Sequence, residues 1–545
     1  VLGSHLIIHA LHRRGVRTIF SLSGNQIMPL YDACIDLGMR IVHVRHEASA
    51  VFMADAWAQV TGELGVAMVT AAPGITNGLA PLYSASQAES PVLLISGDSS
   101  VSEDGSGAFQ ELDQVSITTP LTKLSLRPTK VEELYPALDK AVDEALSPRR
   151  GPVHLALPFD LLLAETGFAN LPEPNASTRP ASGELDPGNI RKLASLLSDS
   201  KQPLILTGPT GARAHKRTLY RSLEEVLDIP VIPMESPRGL KDPSLGSLID
   251  LIPQADVLVL AGKCLDFTLG FGRSSVLGAT ARIAAVDPDP QMLNRARRLL
   301  GERLVLTIQA EPGAALAALG VPLAPGKRGT WRAAVDQALK YRGAQTAEDP
   351  ATSKLTPRLL CETVQAFIRT AVDPILICDG GEFGQWAQAF CEAPTRIING
   401  MSGAIGAGIC YAIAAKIAKP TSTVVVLMGD GTAGFHLMEL DTAVREDAPI
   451  IAVIGNDLRW NAEHLIQLRT YGADRLIGCE LAASARYHDV ATALGGFGAT
   501  AESAESLGSA LRRASESKAP ACINVAMAGE PAPVFGTNGS SSISH

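Results

Sequence analysis

Short apolar runs rich in Val, Ile and Leu alternate with segments of helical spacing along most of this chain. RTIF, RIVHV, GVAMVT and PVLLIS fall in the first third, PLILTG, ADVLVLAG and ARIAAVD in the second, and PILICDGG, STVVVLMGD and PIIAVIGND in the last. Strands alternating with helices in this way predict an α/β protein built on parallel sheets. Two stretches rich in Pro, Ser, Thr and Asn, residues 170–189 and 342–357, interrupt the rhythm and read as linkers. Three parallel-sheet domains follow, 1–168, 188–325 and 355–530, with a flexible tail over 531–545. Their common rhythm points to related architectures.

Composition narrows the function. A chain of 545 residues is too long for one core. Its net charge of -9 counts against a nucleic-acid partner, which would need clustered Lys and Arg. No apolar run approaches a membrane span, and the first residues lack the pattern of a signal peptide. The 8 cysteines are scattered without a C-x-x-C pair and are expected as free thiols in a reducing cytoplasm.

The chemistry concentrates where two runs of the last third end. TVVVLM stops at Gly429-Asp430-Gly431, and PIIAVIG stops at Asn456-Asp457. Between them Phe435, Leu437, Met438 and Leu440 have helical spacing. Ligands of open parallel sheets bind outside the carboxyl ends of the strands, so both aspartates belong on one rim. The flanking glycines let backbone N–H groups approach an anion, and a helix N-terminus favours one. A diphosphate alone would repel two carboxylates, whereas Mg²⁺ between them takes oxygen ligands from both. Gly-Asp-Gly alone is more often a plain turn. The Asn-Asp pair 457 − 430 = 27 residues further on changes that balance.

The combination resembles the thiamine diphosphate motif. The order strand–His46-Glu47–helix, then Pro73-Gly74 and Asn77, is similar to the pyrimidine-binding domain of the acetolactate synthase-like branch, which includes benzaldehyde lyases and 2-hydroxyacyl-CoA lyases. The resemblance implies a pyrimidine-binding, a central and a diphosphate-binding domain, with thiamine diphosphate and Mg²⁺ as cofactors. It implies Glu47 as the carboxyl group that activates the pyrimidine, a role that an apolar pocket would favour by raising the carboxyl pKa. Pro73 and Asn77 then lie near the pyrimidine. Gly381, Glu382, Gly431 and Thr432 surround the diphosphate. Ile405 wedges the cofactor into its bent shape, with Gly403 offering backbone contacts. Asp430, Asp457 and the backbone carbonyl of Arg459 hold the metal. The family usually has Asn where Asp457 stands, and a carboxylate serves as well. A homodimer or homotetramer with active sites shared between chains is implied too.

The same resemblance implies a C–C bond lyase or carboligase acting on small 2-hydroxy or 2-oxo acyl substrates. Gln110 matches a glutamine near the reacting carbon. Gln26 and Lys123 match substrate-side positions, and each reads equally well as a satisfied polar residue. Trp460, Glu463 and His464 follow the clamp and are substrate candidates, or else a polar helix face. RWNAEHLIQLRTYG replaces the Gly-Met stretch of true synthases, and GKCLDFTLGFG replaces their Arg-Phe-Asp-Asp-Arg segment. Both departures favour the lyases and count against FAD in the central domain. A CoA thioester would need a basic pocket there, for which Arg213, Lys216 and Arg217 are candidates. A 2-oxo acid decarboxylase, a true acetolactate synthase and a catalytically silent homologue are the alternatives. A nucleotide-binding oxidoreductase lacks its glycine fingerprint.

Overall fold

The computed structural model describes residues 1–167, 185–319, 328–343 and 354–536. Most of both expected linkers, and residues 537–545 of the expected tail, lie outside the described residues.

The apolar runs become strands buried on both faces, as parallel strands covered by helices must be. The first sheet holds β1 (Thr18–Ser21), β2 (Arg40–His43), β3 (Gly65–Val69), β4 (Val92–Asp98), β5 (Leu124–Leu126) and β6 (Val153–Pro158), in the order β2-β1-β3-β4-β6-β5. The second holds β7 (Pro203–Thr207), β8 (Val231–Pro233), β9 (Val257–Ala261), β10 (Arg282–Val286) and β11 (Leu304–Ile308), in the order β11-β10-β9-β7-β8. The third holds β12 (Ile375–Cys378), β13 (Thr395–Ile398), β14 (Val424–Gly429), β15 (Ile450–Asn456), β16 (Phe497–Ala501) and β17 (Ala521–Ala526), in the order β13-β12-β14-β15-β17-β16. Every strand pair is parallel. Numbered from their own first strands, the outer sheets share one order, 2-1-3-4-6-5, so the similar rhythm reflects a shared topology.

The outer domains also share one core. The helix Glu47–Thr61 carries apolar residues all round because it is covered on both sides. It packs on the first sheet and on the helix Gly408–Ala418 of the third, and one continuous apolar cluster runs through both domains. Phe52 meets the Tyr411 ring edge-on at 5.8 Å, and the Tyr411 hydroxyl donates to the fully buried Asp55 at 2.7 Å. The middle domain keeps two clusters of its own.

Two boundaries move. The helix Gly329–Lys340, beyond the expected end of the middle domain at 325, sinks Trp331 and Val335 into that domain's core. Residues 531–536, expected as flexible tail, are packed: Phe535 meets Tyr341 and Phe390, and the Ala532 amide donates to Glu382.

Candidate active site

Adjacent strands bring the two aspartates together. Gly429 of β14 and Gly455 of β15 are register partners, so Asp430 and Asn456-Asp457 leave the sheet side by side at its carboxyl rim. This rim lies beside the strand-order reversal between β12 and β14, where open α/β sheets bind ligands. Both aspartates are buried, at 3% and 4% exposure. Asp430 accepts from the amides of Gly431 at 2.9 Å and Leu458 at 2.8 Å. Leu458 reaches it by adopting φ +65°. Burial pushes the Asp430 carboxyl up to about 6. Asp457 is raised to about 7, first by burial and then by the Asp430 charge, because it must ionise beside a group that has already done so. The Arg459 side chain offsets part of this repulsion. Its Nε lies 3.4 Å from the Asp457 carbonyl and its Nη1 lies 3.2 Å from His464 Nε2. The sequence reading gave Arg459 only a backbone role.

Glycines keep the space in front of the pair open. A methyl group added at Gly381, Gly403 or Gly429 would meet nothing within 4 Å. Gly381 and Gly403 hold φ of +82° and +68°, which glycine adopts without steric cost. At Gly431 the same methyl would lie 2.7 Å from the Trp460 ring, which covers the turn and meets Phe435 edge-on. Trp460 is held by strand-like bonds: its amide donates to Cys479 at 2.7 Å, and Leu481 donates to Leu458 at 2.8 Å. Thr432, buried, spends its hydroxyl on the Gly429 carbonyl at 3.0 Å.

The loop carrying Gly403 and Ile405 hangs on a residue the sequence reading missed. Asp379, fully buried, accepts from the amides of Gly380 at 2.6 Å, Gly406 at 3.0 Å and Gly408 at 3.2 Å. One carboxylate thus ties the Ile405 loop to the turn before the helix Gly381–Phe390. Ile405 lies so close to Gly380 that a methyl there would be 2.3 Å from its Cγ2.

In the first domain the rim after β1, β2, β3 and β4 gathers the other half. Glu47 opens its helix, and its Oε2 accepts from Asn77 at 3.0 Å. The carboxyl is half-buried, where an apolar pocket was expected. Pro73 begins the short helix Pro73–Asn77 that places Asn77. Gln26 donates to Gln110 at 2.8 Å and accepts from the Thr70 hydroxyl at 2.5 Å. Within the chain the neighbours of Glu47 meet the far end of the helix Asp430–His436. Ser49 lies 3.1 Å from His436, and the Arg45 amide donates to the buried Glu439 at 2.9 Å.

Several sequence candidates go elsewhere. Lys123 precedes β5, at the opposite edge of the sheet from the rim, and its ammonium donates to the Ser147 carbonyl at 3.0 Å and hydroxyl at 2.6 Å. It is a structural clamp. Glu382 accepts from Ala532 and pairs with Arg238 at 3.9 Å, turned away from the glycine cradle. Glu463 is exposed. The proposed basic pocket is absent as such. Arg213 is buried on the Ala88 carbonyl and Ser90, Arg217 donates to the Ala393 and Pro394 carbonyls, and Lys216 faces Glu311. Phe435 and Met438, expected on an apolar helix face, are exposed, because a tight turn at Leu437–Glu439 breaks the helix and shifts its phase.

These residues fit a divalent cation carrying an anion. Two buried oxygen ligands of like charge face an open glycine-lined cradle. The side-chain oxygen of the neighbouring Asn461 is buried without a hydrogen-bond partner. Among the described residues no group of three or more His, Cys, Asp or Glu side chains converges, so further ligands must be carbonyls, water and oxygens of the anion.

Comparison with known proteins gives a consistent result. Residues 2–117 match the family described as thiamine pyrophosphate enzyme, N-terminal TPP binding domain, and residues 379–525 match its C-terminal TPP binding domain. The chain is 30% identical over 536 residues to an acetolactate synthase large subunit of Mycobacterium tuberculosis, covering 96% of this chain and 95% of that protein. It is 32% identical over 554 residues to human 2-hydroxyacyl-CoA lyase 2, covering 91% and 84%. Its fold superposes with a TM-score of 0.82 on a thiamine diphosphate-dependent 4-hydroxybenzoylformate decarboxylase of Rhodococcus jostii, at 23% identity over 97% of this chain and 100% of the other. No helix among the described residues is long and apolar enough to cross a membrane.

Proposed function

Because this chain belongs to the thiamine diphosphate-dependent enzyme family, we propose that it is a Mg²⁺-dependent lyase or carboligase that breaks or forms a C–C bond beside the carbonyl or hydroxyl of a 2-oxo or 2-hydroxy acyl compound. The observation that carries this reading is the buried Asp430–Asp457 pair facing an open glycine cradle. When bound, thiamine diphosphate supplies the nucleophilic carbon and the electron sink. The chain supplies position and proton control. Asp430, Asp457 and the Arg459 carbonyl would hold the metal, and the glycines at 381, 403 and 431 admit the cofactor's anionic end. Trp460 covers the turn and excludes water. Glu47 holds a proton at Oε1, the oxygen that Asn77 leaves free. Gln110 binds a substrate oxygen.

Two copies of the chain sharing each site fit this reading. The neighbours of Glu47 meet the far end of the Asp430–His436 helix, and Phe435, Met438, Ile466 and Tyr471 present exposed apolar surface around the rim.

Calorimetry with thiamine diphosphate, with and without Mg²⁺, tests the site. Pyruvate, 4-hydroxybenzoylformate and a 2-hydroxyacyl-CoA then test the reaction through CO₂ and aldehyde release. Binding that needs metal is expected, with turnover of at least one substrate and its loss in Glu47→Gln without loss of binding. Failure of the wild type to bind the cofactor would end this reading.

A further inference from the structure

The rim of the first domain holds a line of three uncharged polar side chains. Thr70 follows β3, Gln26 lies in the tight turn Asn25–Ile27 after β1, and Gln110 lies in the loop after β4. The Thr70 hydroxyl donates to Gln26 Oε1 at 2.5 Å, and Gln26 Nε2 donates to Gln110 Oε1 at 2.8 Å.

The surroundings hold the line in place. A methyl group at Gly24 would lie 2.3 Å from Thr70 Cβ, and one at Gly97 would lie 2.5 Å from Gln26 Cβ. Gln26 is 5% exposed in the slot these glycines leave. The Gln110 loop is pinned by Glu111, whose carboxylate accepts from Gly105 at 2.6 Å, Gly107 at 2.9 Å and Ala108 at 3.1 Å. Gln110 itself adopts φ +61°, a conformation that costs a non-glycine residue free energy. The line is contiguous with Glu47, because Gly74 packs on Thr70 and belongs to the short helix that carries Asn77.

A primary amide offers an acceptor at one end and two donors at the other. If Gln110 accepts through Oε1, its Nε2 is left outward as a pure donor. We propose that Thr70 and Gln26 are positioning residues that fix the direction of the Gln110 amide, so that this subsite takes an electron-rich acceptor oxygen of the substrate, a carbonyl, carboxylate or alkoxide. None of the three side chains titrates, so the subsite orients and polarises that oxygen without moving a proton. The inference rests on the proposed function and assigns the substrate contact within it.

Three variants of the full-length holoenzyme test the direction. Glu at position 26 can only accept, so Gln26→Glu forces Gln110 to turn its N–H inward and its oxygen outward. Gln110→Glu puts a carboxylate oxygen where the donor was. Thr70→Val keeps the shape and removes the donor that sets the direction. The readouts are kcat and KM on whichever of the three substrates above the wild type turns over, the affinity of methyl acetylphosphonate as a 2-oxo acid mimic, and the affinity of thiamine diphosphate. Gln26→Glu and Gln110→Glu are expected to lower kcat/KM about a hundredfold, and Thr70→Val about tenfold, the worth of one hydrogen bond. The mimic should weaken in step, while thiamine diphosphate affinity and the melting midpoint stay within twofold and a few degrees. Wild-type kinetics in Gln26→Glu would overturn the inference, because the chain would then run the other way. Parallel losses of thiamine diphosphate affinity and kcat/KM in all three variants would also overturn it, since they mark a merely structural role. A wild type that binds no thiamine diphosphate would remove the underlying function instead.

Discussion

Replacing Asp457 by Asn removes one of two buried like charges while keeping the shape and an oxygen ligand. Its carboxyl, raised from an ordinary 3.8 to about 7, disfavours the ionised native state by about 4 kcal/mol as an upper bound. Asp430, raised to about 6, adds about 3 kcal/mol on the same scale. Both folded-state values lie above those of the unfolded chain. Between pH 4 and 7 the native protein therefore holds more protons than the unfolded one, and its metal-free stability falls as pH rises. Above pH 7 both groups are ionised in both states and the fall stops. Asp457→Asn keeps only the Asp430 part, so its fall ends near pH 6. Mg²⁺ reverses the logic, because it must displace the protons. Apparent Mg²⁺ affinity of the wild type should rise about tenfold from pH 6 to 7, as one proton leaves Asp457, and more steeply below pH 6. In Asp457→Asn it should level off near pH 6. Melting curves of metal-free protein from pH 5 to 8, and Mg²⁺ titrations in the presence of thiamine diphosphate, measure both. Equal pH slopes in the two proteins, or metal-free stability that does not change between pH 5 and 8, would refute the reasoning.

Gly431→Ala places a methyl 2.7 Å from the Trp460 ring, and calorimetry should show thiamine diphosphate affinity reduced at least tenfold. Trp460→Ala in the same chain should restore most of it. Lys123→Met should leave kcat and KM unchanged while lowering the melting midpoint, since its ammonium serves only carbonyls, a hydroxyl and Glu144.

The ten apolar runs marking the sheets were legible because central parallel strands are buried on both faces. The seven strands that escaped include the edge strands β5, β8, β11, β13 and β16, whose half-exposed or short runs look like loops. β6 and β17 are interior, but VHLALP carries a buried His154 and ACINVA an Asn, which dilute the apolar signal. At the site, Asp430 and Asp457 were readable because they end consecutive strands and register brings them level. Asp379 was not, since its three bonds run to a loop over twenty residues away. The Thr70–Gln26–Gln110 line was hidden for the same reason, with 44 and 84 residues separating its partners. Charge likewise misled the reading of Arg213 and Arg217: GARAHKRT looks like a surface patch, and only the packed domains show the guanidinium groups spent on carbonyls.

The apolar cluster shared by the outer domains has a consequence for biogenesis. The helix Glu47–Thr61 is synthesised roughly 350 residues before the helix Gly408–Ala418 that covers its second face. At about 5–20 residues per second, the nascent N-terminal domain waits some tens of seconds with that face bare. The middle domain, closed around its own clusters, is able to fold during the wait. The chain therefore behaves as a self-sufficient insert inside a split composite unit, and the N-terminal third made alone should seek a chaperone or aggregate.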